Sequence, residues 1–365
     1  MSSNWYEIKN IDQLDSPALV VFPERIKTNI DRMIQMAGGT ERLMPHIKTH
    51  KMGEVIQLQM DKGITKFKCA TIAEGELLGE AGAKEVLLAY QPVGPKVERL
   101  LKLVQKYPMT QFSALIDDPA AAQGIAQVFA KANKTVPVYL DLDVGMHRTG
   151  IAAGDKAFEL YRLAKVLEGI EPVGLHLYDG HFREPSFAER KADCDKAFLP
   201  VRQLARRIEE KTTIIAGGTP TFPIHALRSD VRCSPGTCLL WDWGYNSGLP
   251  EQDFLFAALV VSRVISKTDD RYICTDLGHK SIAAEKPFPR VYFLNLPNAK
   301  AVLQSEEHLV LDVGNNQAFS VGTVLYGVPN HICPTCALYE RAYVVEDQQV
   351  AKEWKVVSRD RKITV

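Results

Sequence analysis

LMPHIKTHK, residues 43–51, opens with two apolar residues and a proline, then sets His46, Lys48, His50 and Lys51 within six positions. An apolar start that turns titratable reads as a buried strand with a lysine at its end. The same unit recurs downstream. Apolar runs follow at KFKCAT (66–71), EVLLAY (85–90), QFSALI (111–116), PVYLDL (137–142), PVGLHLY (172–178), TTIIAG (212–217) and VRCSPGTCLL (231–240). Between them lie segments such as GEVIQLQMDKG, AEGELLGEAGA, GPKVERLLKLVQKY and FELYRLAKVLEG. Apolar residues recur in these at three- and four-residue spacing, as amphipathic helices require. Eight buried strands, most followed by a helix, predict a (β/α)8 TIM barrel. A doubly wound open sheet is the rival, but no G-x-G-x-x-G follows any strand.

After about residue 250 the pattern changes to AALVVSRVIS, RYICTD, RVYFLNL, HLVLDV and YERAYVVED, with little helix between. This predicts an α/β chain of two parts, a barrel over 15–245 and an all-β domain over 246–365, to which the N-terminal segment 1–14 can be joined. The early run PALVVF (17–22) precedes the eight units by one helix and can side with the β domain.

Bulk properties narrow the function. Lys+Arg and Asp+Glu balance at 44 each in 365 residues. That charge balance offers no basic field for nucleic acid or an anionic membrane. No run reaches the roughly 18 apolar residues of a membrane span. The opening MSSNWYEIKNIDQL lacks the apolar core of a secretion signal. Seven scattered cysteines, an odd number, suit reduced thiols. Together these predict a cytoplasmic protein that binds neither nucleic acid nor a membrane.

Barrel chemistry collects where strands end. Lys48 stands at the first such end. An isolated lysine there would be a solvated surface residue, but the other ends are also polar or glycine-rich: DLDVGMHRTG (141–150), LYDGH (177–181), AGGTP (216–220) and SPGT (234–237). Gly217-Gly218-Thr219 and Pro235-Gly236-Thr237 follow or interrupt the seventh and eighth strands, where barrels bind phosphate. Each alone could be a tight turn. Paired, their glycines let backbone N–H groups approach an anion, and Thr219 and Thr237 add hydroxyl donors. An anion site across the mouth from a strand-end lysine suggests pyridoxal 5'-phosphate (PLP), which needs a lysine and a phosphate anchor.

HIKTHK, DVGMHRTG, LYDGH, AGGTPTFP, SPGT and HICPT occur in this order. They resemble the D-threonine aldolase and D-serine dehydratase family, PLP enzymes of the alanine racemase fold, from about Asp15 to the C-terminus. The resemblance implies that Lys48 holds PLP as a Schiff base, that Arg148 faces the cofactor 3-hydroxyl, and that Tyr178 lies near the pyridine nitrogen. It also implies a head-to-tail homodimer. The chain departs from the family at Met44, where relatives often carry arginine, and at Cys238, where they tend to place an aromatic.

PNHICPTC, 329–336, is the second constellation. On an extended segment His331 and Cys333 would point the same way. Imidazole with thiolate suits zinc; manganese is less comfortable with sulfur. A lone His-x-Cys is more often structural, and a zinc ribbon would need a second C-x-x-C. The resemblance implies that His331 and Cys333 bind one divalent metal (zinc or manganese, with magnesium a third option), leaving positions open for substrate. His181, beyond a strand end, is either a loop histidine bonded to a carboxylate or a general base near pH 7.

A metal beside the substrate Cβ suggests a β-hydroxyl ligand. Aldol cleavage of a D-3-hydroxy amino acid to glycine and an aldehyde is the leading expectation, because LYDGHF and GGTPTFPIH are more like the aldolases. Dehydration of D-serine to pyruvate and ammonia is the alternative. An amino-acid racemase or a non-catalytic PLP-binding protein are further ones.

Overall fold

The computed structural model describes residues 4–210 and 212–365. Two compact units emerge: one comprising 1–30, 49–54 and 237–359, the other 31–48, 55–236 and 360–365.

The second unit is the barrel. Strands Lys66–Cys69, Glu85–Leu88, Gln111–Ile116, Val136–Asp143, Ile170–Leu177, Thr213–Ala216 and Val231–Cys233 pair in this order, each parallel to the next. The short strand Ile151–Ala152 adds to the end of Val136–Asp143. The expected first strand, 43–48, is not a regular strand. It forms single bridges, Leu43 to Cys233 and His46 to Lys68. The reason is Pro45, which has no N–H for a ladder. Even so, the segment closes the ring. Met44 N–H donates to Cys233 O (2.9 Å), Ile47 N–H to Lys68 O (3.0 Å), and Lys68 N–H to Pro45 O (2.8 Å).

Helices return the chain between strands, and their ends are capped from the sequence. Thr71 Oγ1 accepts the Glu74 N–H ahead of helix Ile72–Glu80. Asp118 accepts the Ala120 and Ala121 N–H groups ahead of Pro119–Lys131. Helix Pro95–Lys106 buries Val97, Leu100, Leu101 and Leu103, the apolar stripe its periodicity predicts. Inside the ring, Met44 packs with Leu87, Leu115, Tyr139 and Ile215. The residue that departs from the family therefore fills core.

The first unit is built on a nine-stranded sheet. Ala18–Val21 pairs antiparallel with Ala258–Thr268 and parallel with Arg341–Glu346, so the early run does side with the β strands. A barrel beginning at residue 15 therefore starts too early. Val20, Leu259, Val261, Tyr326, Val328 and Val345 form its core. Lys300–Gln304, Val324–Pro329 and Gln349–Lys355 are strands that the pattern did not isolate. The first and last are largely exposed, so they lack a clean alternation, and the middle one carries Gly327 and Pro329. Among the described residues no helix is long and apolar enough to cross a membrane.

Candidate cofactor and metal sites

In the barrel unit, the expected residues gather around one ring. Tyr178 directly follows strand Ile170–Leu177. Arg148 Cζ lies 4.7 Å from its ring centroid and Lys48 Nζ 5.8 Å. A Cβ added at Gly218 would stand 2.8 Å from Tyr178 Cε2, and one at Gly180 would overlap the Tyr178 hydroxyl. Only glycine permits this approach. Lys48, Arg148, Tyr178 and Gly218 thus converge, although 170 residues of chain separate the first from the last.

The loop that presents Arg148 is tied down by carboxylates. Asp143 Oδ1 accepts the N–H groups of Gly145 and His147, both at 3.0 Å, and Asp117 Oδ2 accepts that of Gly150 at 2.8 Å. His181 lies against the same loop: a Cβ at Gly145 would be 3.1 Å from its Nε2. Its ring packs on Phe182, centroids 4.0 Å apart. Its Nδ1 is buried with no hydrogen-bond partner among the described residues. The carboxylate-bonded alternative for His181 is therefore not what the structure contains.

The two glycine turns meet. Gly236 N–H donates to Thr219 Oγ1 at 3.3 Å. Gly217, at φ +80°, donates to Leu177 O at 3.1 Å, and Gly218 N–H reaches Thr221 Oγ1 at 3.4 Å. Thr221 donates to the buried Asp179 at 2.5 Å, as does His225 Nε2 at 2.7 Å. Burial pushes the Asp179 carboxyl up, but His225, Thr221 and Cys194 outweigh it and hold the pKa below the usual range.

Asp179, Cys194 and His225 bring one ligand atom each within 4.8 Å of one another. Cation binding is poorly served there. Arg228 Nη1 lies 2.5 Å from His225 Nδ1, and both Nη atoms are 3.7 Å from Cys194 Sγ. A guanidinium already occupies the cation's place, and burial, then Asp179, pushes the Cys194 thiol up to about 12. The cluster braces the Gly217–Thr221 turn. Neither Asp179 nor His225 was singled out from sequence. The aspartate inside LYDGH was the available clue.

Two other buried groups were missed: Lys68 and Asp141. His176, on strand Ile170–Leu177, joins them. Its Nδ1 lies 2.7 Å from Asp141 Oδ1 and its Nε2 3.4 Å from Lys68 Nζ. The clue was a lysine inside an otherwise buried strand, KFKC.

In the β unit, His331 and Cys333 are not on an extended segment. His331 is the N-cap of helix Ile332–Leu338, so Cys333 sits in its first turn. Pro334 is tolerated there because first-turn N–H groups lack intrahelical partners. The two side chains nonetheless meet. Burial pushes the His331 imidazole down, but the hydrogen bond and charge of Cys333, and then Glu285, outweigh it and raise it to about 9. The Glu285 carboxylate engages His331 Nδ1, so Nε2 is the ring atom that would ligate. Thr49 Oγ1 is 3.1 Å and Thr237 Oγ1 3.4 Å from Cys333 Sγ. One imidazole nitrogen and one cysteine sulfur, the imidazole oriented by a carboxylate, form a donor pair that fits a divalent metal with open positions. Thr237, expected at the phosphate, lies against this sulfur.

Residues 22–240 match the family described as alanine racemase, N-terminal domain, and residues 257–345 match a putative serine dehydratase domain. A D-threonine aldolase of Arthrobacter sp is 26% identical over 95% of this chain and 93% of its own length. A D-threo-3-hydroxyaspartate dehydratase of Delftia sp is 24% identical over 94% and 97%. The crystal structure of D-threonine aldolase from Filomicrobium marinum superposes with a TM-score of 0.89 at 26% identity, covering 98% of this chain and 99% of that one.

Proposed function

This chain belongs to the alanine racemase N-terminal domain family, in its D-threonine aldolase and D-serine dehydratase branch, and we propose that it is a PLP- and metal-dependent aldolase of D-3-hydroxy amino acids. The observation that carries the cofactor part is the convergence of Lys48, Arg148 and Gly218 on the Tyr178 ring. A glycine-lined cradle and a buried, unpartnered His181 Nδ1 fit a planar anionic group.

Lys48 supplies the amine that holds the cofactor. Arg148 presents positive charge to one edge of it, and Tyr178 backs it. The backbone around Gly218, Thr219 and Gly236, with the Thr237 hydroxyl, receives the phosphate. His331 and Cys333 hold the divalent metal. When bound, PLP supplies an electron sink that makes one bond at the substrate Cα labile, and the metal supplies Lewis acidity to the β-hydroxyl.

Aldol cleavage requires a base for the hydroxyl proton. His181 carries a nitrogen not committed to another group, which supports cleavage. Dehydration would instead use Lys48 to take the Cα proton. The kinship to a dehydratase of similar identity keeps that as the second reading. Product analysis with D-threonine and D-serine separates them: glycine with an aldehyde supports the aldolase, keto acid with ammonia the dehydratase. A cytoplasmic homodimer belongs to the same proposal, and sedimentation of the purified chain tests the assembly.

A further inference from the structure

Lys68 lies on strand Lys66–Cys69 and is 2% exposed. Lysine is almost never buried to that degree unless its amine is paired. Here the pairing has a direction. Lys68 Nζ donates to Ser234 Oγ at 2.5 Å, and Ser234 Oγ donates to the Gly217 carbonyl at 2.9 Å. On its other side Nζ faces His176 Nε2 at 3.4 Å, and His176 Nδ1 lies 2.7 Å from Asp141 Oδ1. The Asp141 carboxylate can only accept, so Nδ1 carries the proton and donates to it, and Nε2 presents a lone pair. The Ser234 proton is committed to Gly217, so Ser234 also presents a lone pair. Two acceptors therefore converge on the amine, matching the two N–H groups of an uncharged lysine. Burial first, then the charge of Lys48, pushes the Lys68 pKa down to about 7.

The end of this chain of bonds is a turn of the candidate anion cradle. Gly217 adopts φ +80°, and a Cβ there would stand 2.7 Å from His225 Cδ2. The Asp179 network braces that turn through Thr221 and Gly218, and Ser234 holds it by the Gly217 carbonyl. Ser234 also opens the other turn, Pro235-Gly236, whose N–H bonds Thr219. One hydroxyl thus links both turns, and Lys68 aims it.

We propose that Lys68 is a positioning residue of the cofactor site: seated by His176 and Asp141, it directs Ser234 onto the Gly217 carbonyl and so sets the spacing of the two phosphate-binding turns. The inference rests on the proposed PLP site. Its test is a spectroscopic titration of PLP into the full chain stripped of cofactor, comparing wild type, Lys68→Met, Lys68→Gln, Ser234→Ala and the Lys68→Met/Ser234→Ala double variant. Methionine removes both donors at similar length, whereas glutamine keeps two N–H groups. Lys68→Met and Ser234→Ala should each weaken PLP binding by about fivefold or more. The double variant should be no worse than the weaker single one, because both break one chain of bonds. Lys68→Gln should stay within about threefold of wild type. Wild-type affinity in Lys68→Met, equal losses in Lys68→Gln and Lys68→Met, or additive losses in the double variant would overturn the inference. Ser234→Ala, a small deletion, serves if Lys68→Met does not fold. A wild-type chain that takes up no PLP would overturn the cofactor reading itself, and this inference with it.

Discussion

The hydroxyl of Thr49 lies 3.1 Å from the sulfur of Cys333, in the same unit as Glu285 and His331. A hydroxyl donating to sulfur favours the thiolate, the form that ligates metal. One small site thus carries a cysteine sulfur, an imidazole and a carboxylate that orients the imidazole.

This arrangement predicts a hierarchy of metal affinities. Cys333→Ala should abolish tight binding. Glu285→Gln should weaken it by about ten- to a hundredfold, as loss of a carboxylate behind a metal histidine does. Thr49→Val should have a smaller effect in the same direction. Chelator competition measures all three. Removing the metal should stop turnover while the cofactor absorbance persists. Turnover that survives verified metal removal would make the pair structural.

Lys48 is expected to hold PLP. Borohydride treatment of the coloured protein should fix the cofactor to a single peptide containing Lys48. Label on Lys51 or on the buried Lys68 would refute the assignment.

The Thr219 hydroxyl binds the Gly236 N–H, so Thr219→Val together with Thr237→Val should loosen the cradle. PLP affinity should fall by roughly tenfold or more, given about 1.5–3 kcal/mol for a hydrogen bond to a charged group. The melting temperature should change little by comparison. An unchanged titration would remove both threonines from the phosphate site.

Lys68 has a stability signature. Its amine deprotonates near 7 in the folded chain and near the ordinary 10.5 when unfolded. Between those values the unfolded chain binds more protons, so this group makes stability rise with pH across that window, with its full penalty present below it. Lys68→Met deletes the term. The stability difference between Lys68→Met and wild type should therefore be constant below about pH 7 and shift steadily in favour of wild type as pH rises toward 10. Denaturant titrations of the cofactor-free chain over that range test it, and a pH-independent difference would contradict it.

Turnover should be confined to D-3-hydroxy amino acids. The proposed function holds a substrate by its amine, its carboxylate and its β-hydroxyl, and three attachments around Cα admit one hand. The other hand must give up a metal or charge-assisted contact, which slows the reaction by on the order of a hundredfold. Geometry says that one hand wins; that it is the D hand is part of the proposed function and rests on kinship to enzymes named for D-amino acids. Steady-state rates on D- and L-threonine decide it; comparable rates, or preference for L, would sink the model.

The sequence alone determined the alternation of strand and helix, the lysine at a strand end, the paired glycine turns and the change to β structure beyond the barrel. These are local properties: periodicity, breakers and caps are written within a few residues of where they act. It could not show that 43–47 closes the ring by bridges instead of a ladder, or that HIC opens a helix, because Pro45 and Pro334 mean different things in different surroundings. Nor could it reveal the partners of Lys68. His176 and Ser234 lie 108 and 166 residues along the chain. A lysine in a buried strand is only an oddity until the fold brings acceptors to it, and the cost of burying an amine depends wholly on what those acceptors are. Tertiary structure alone decided that.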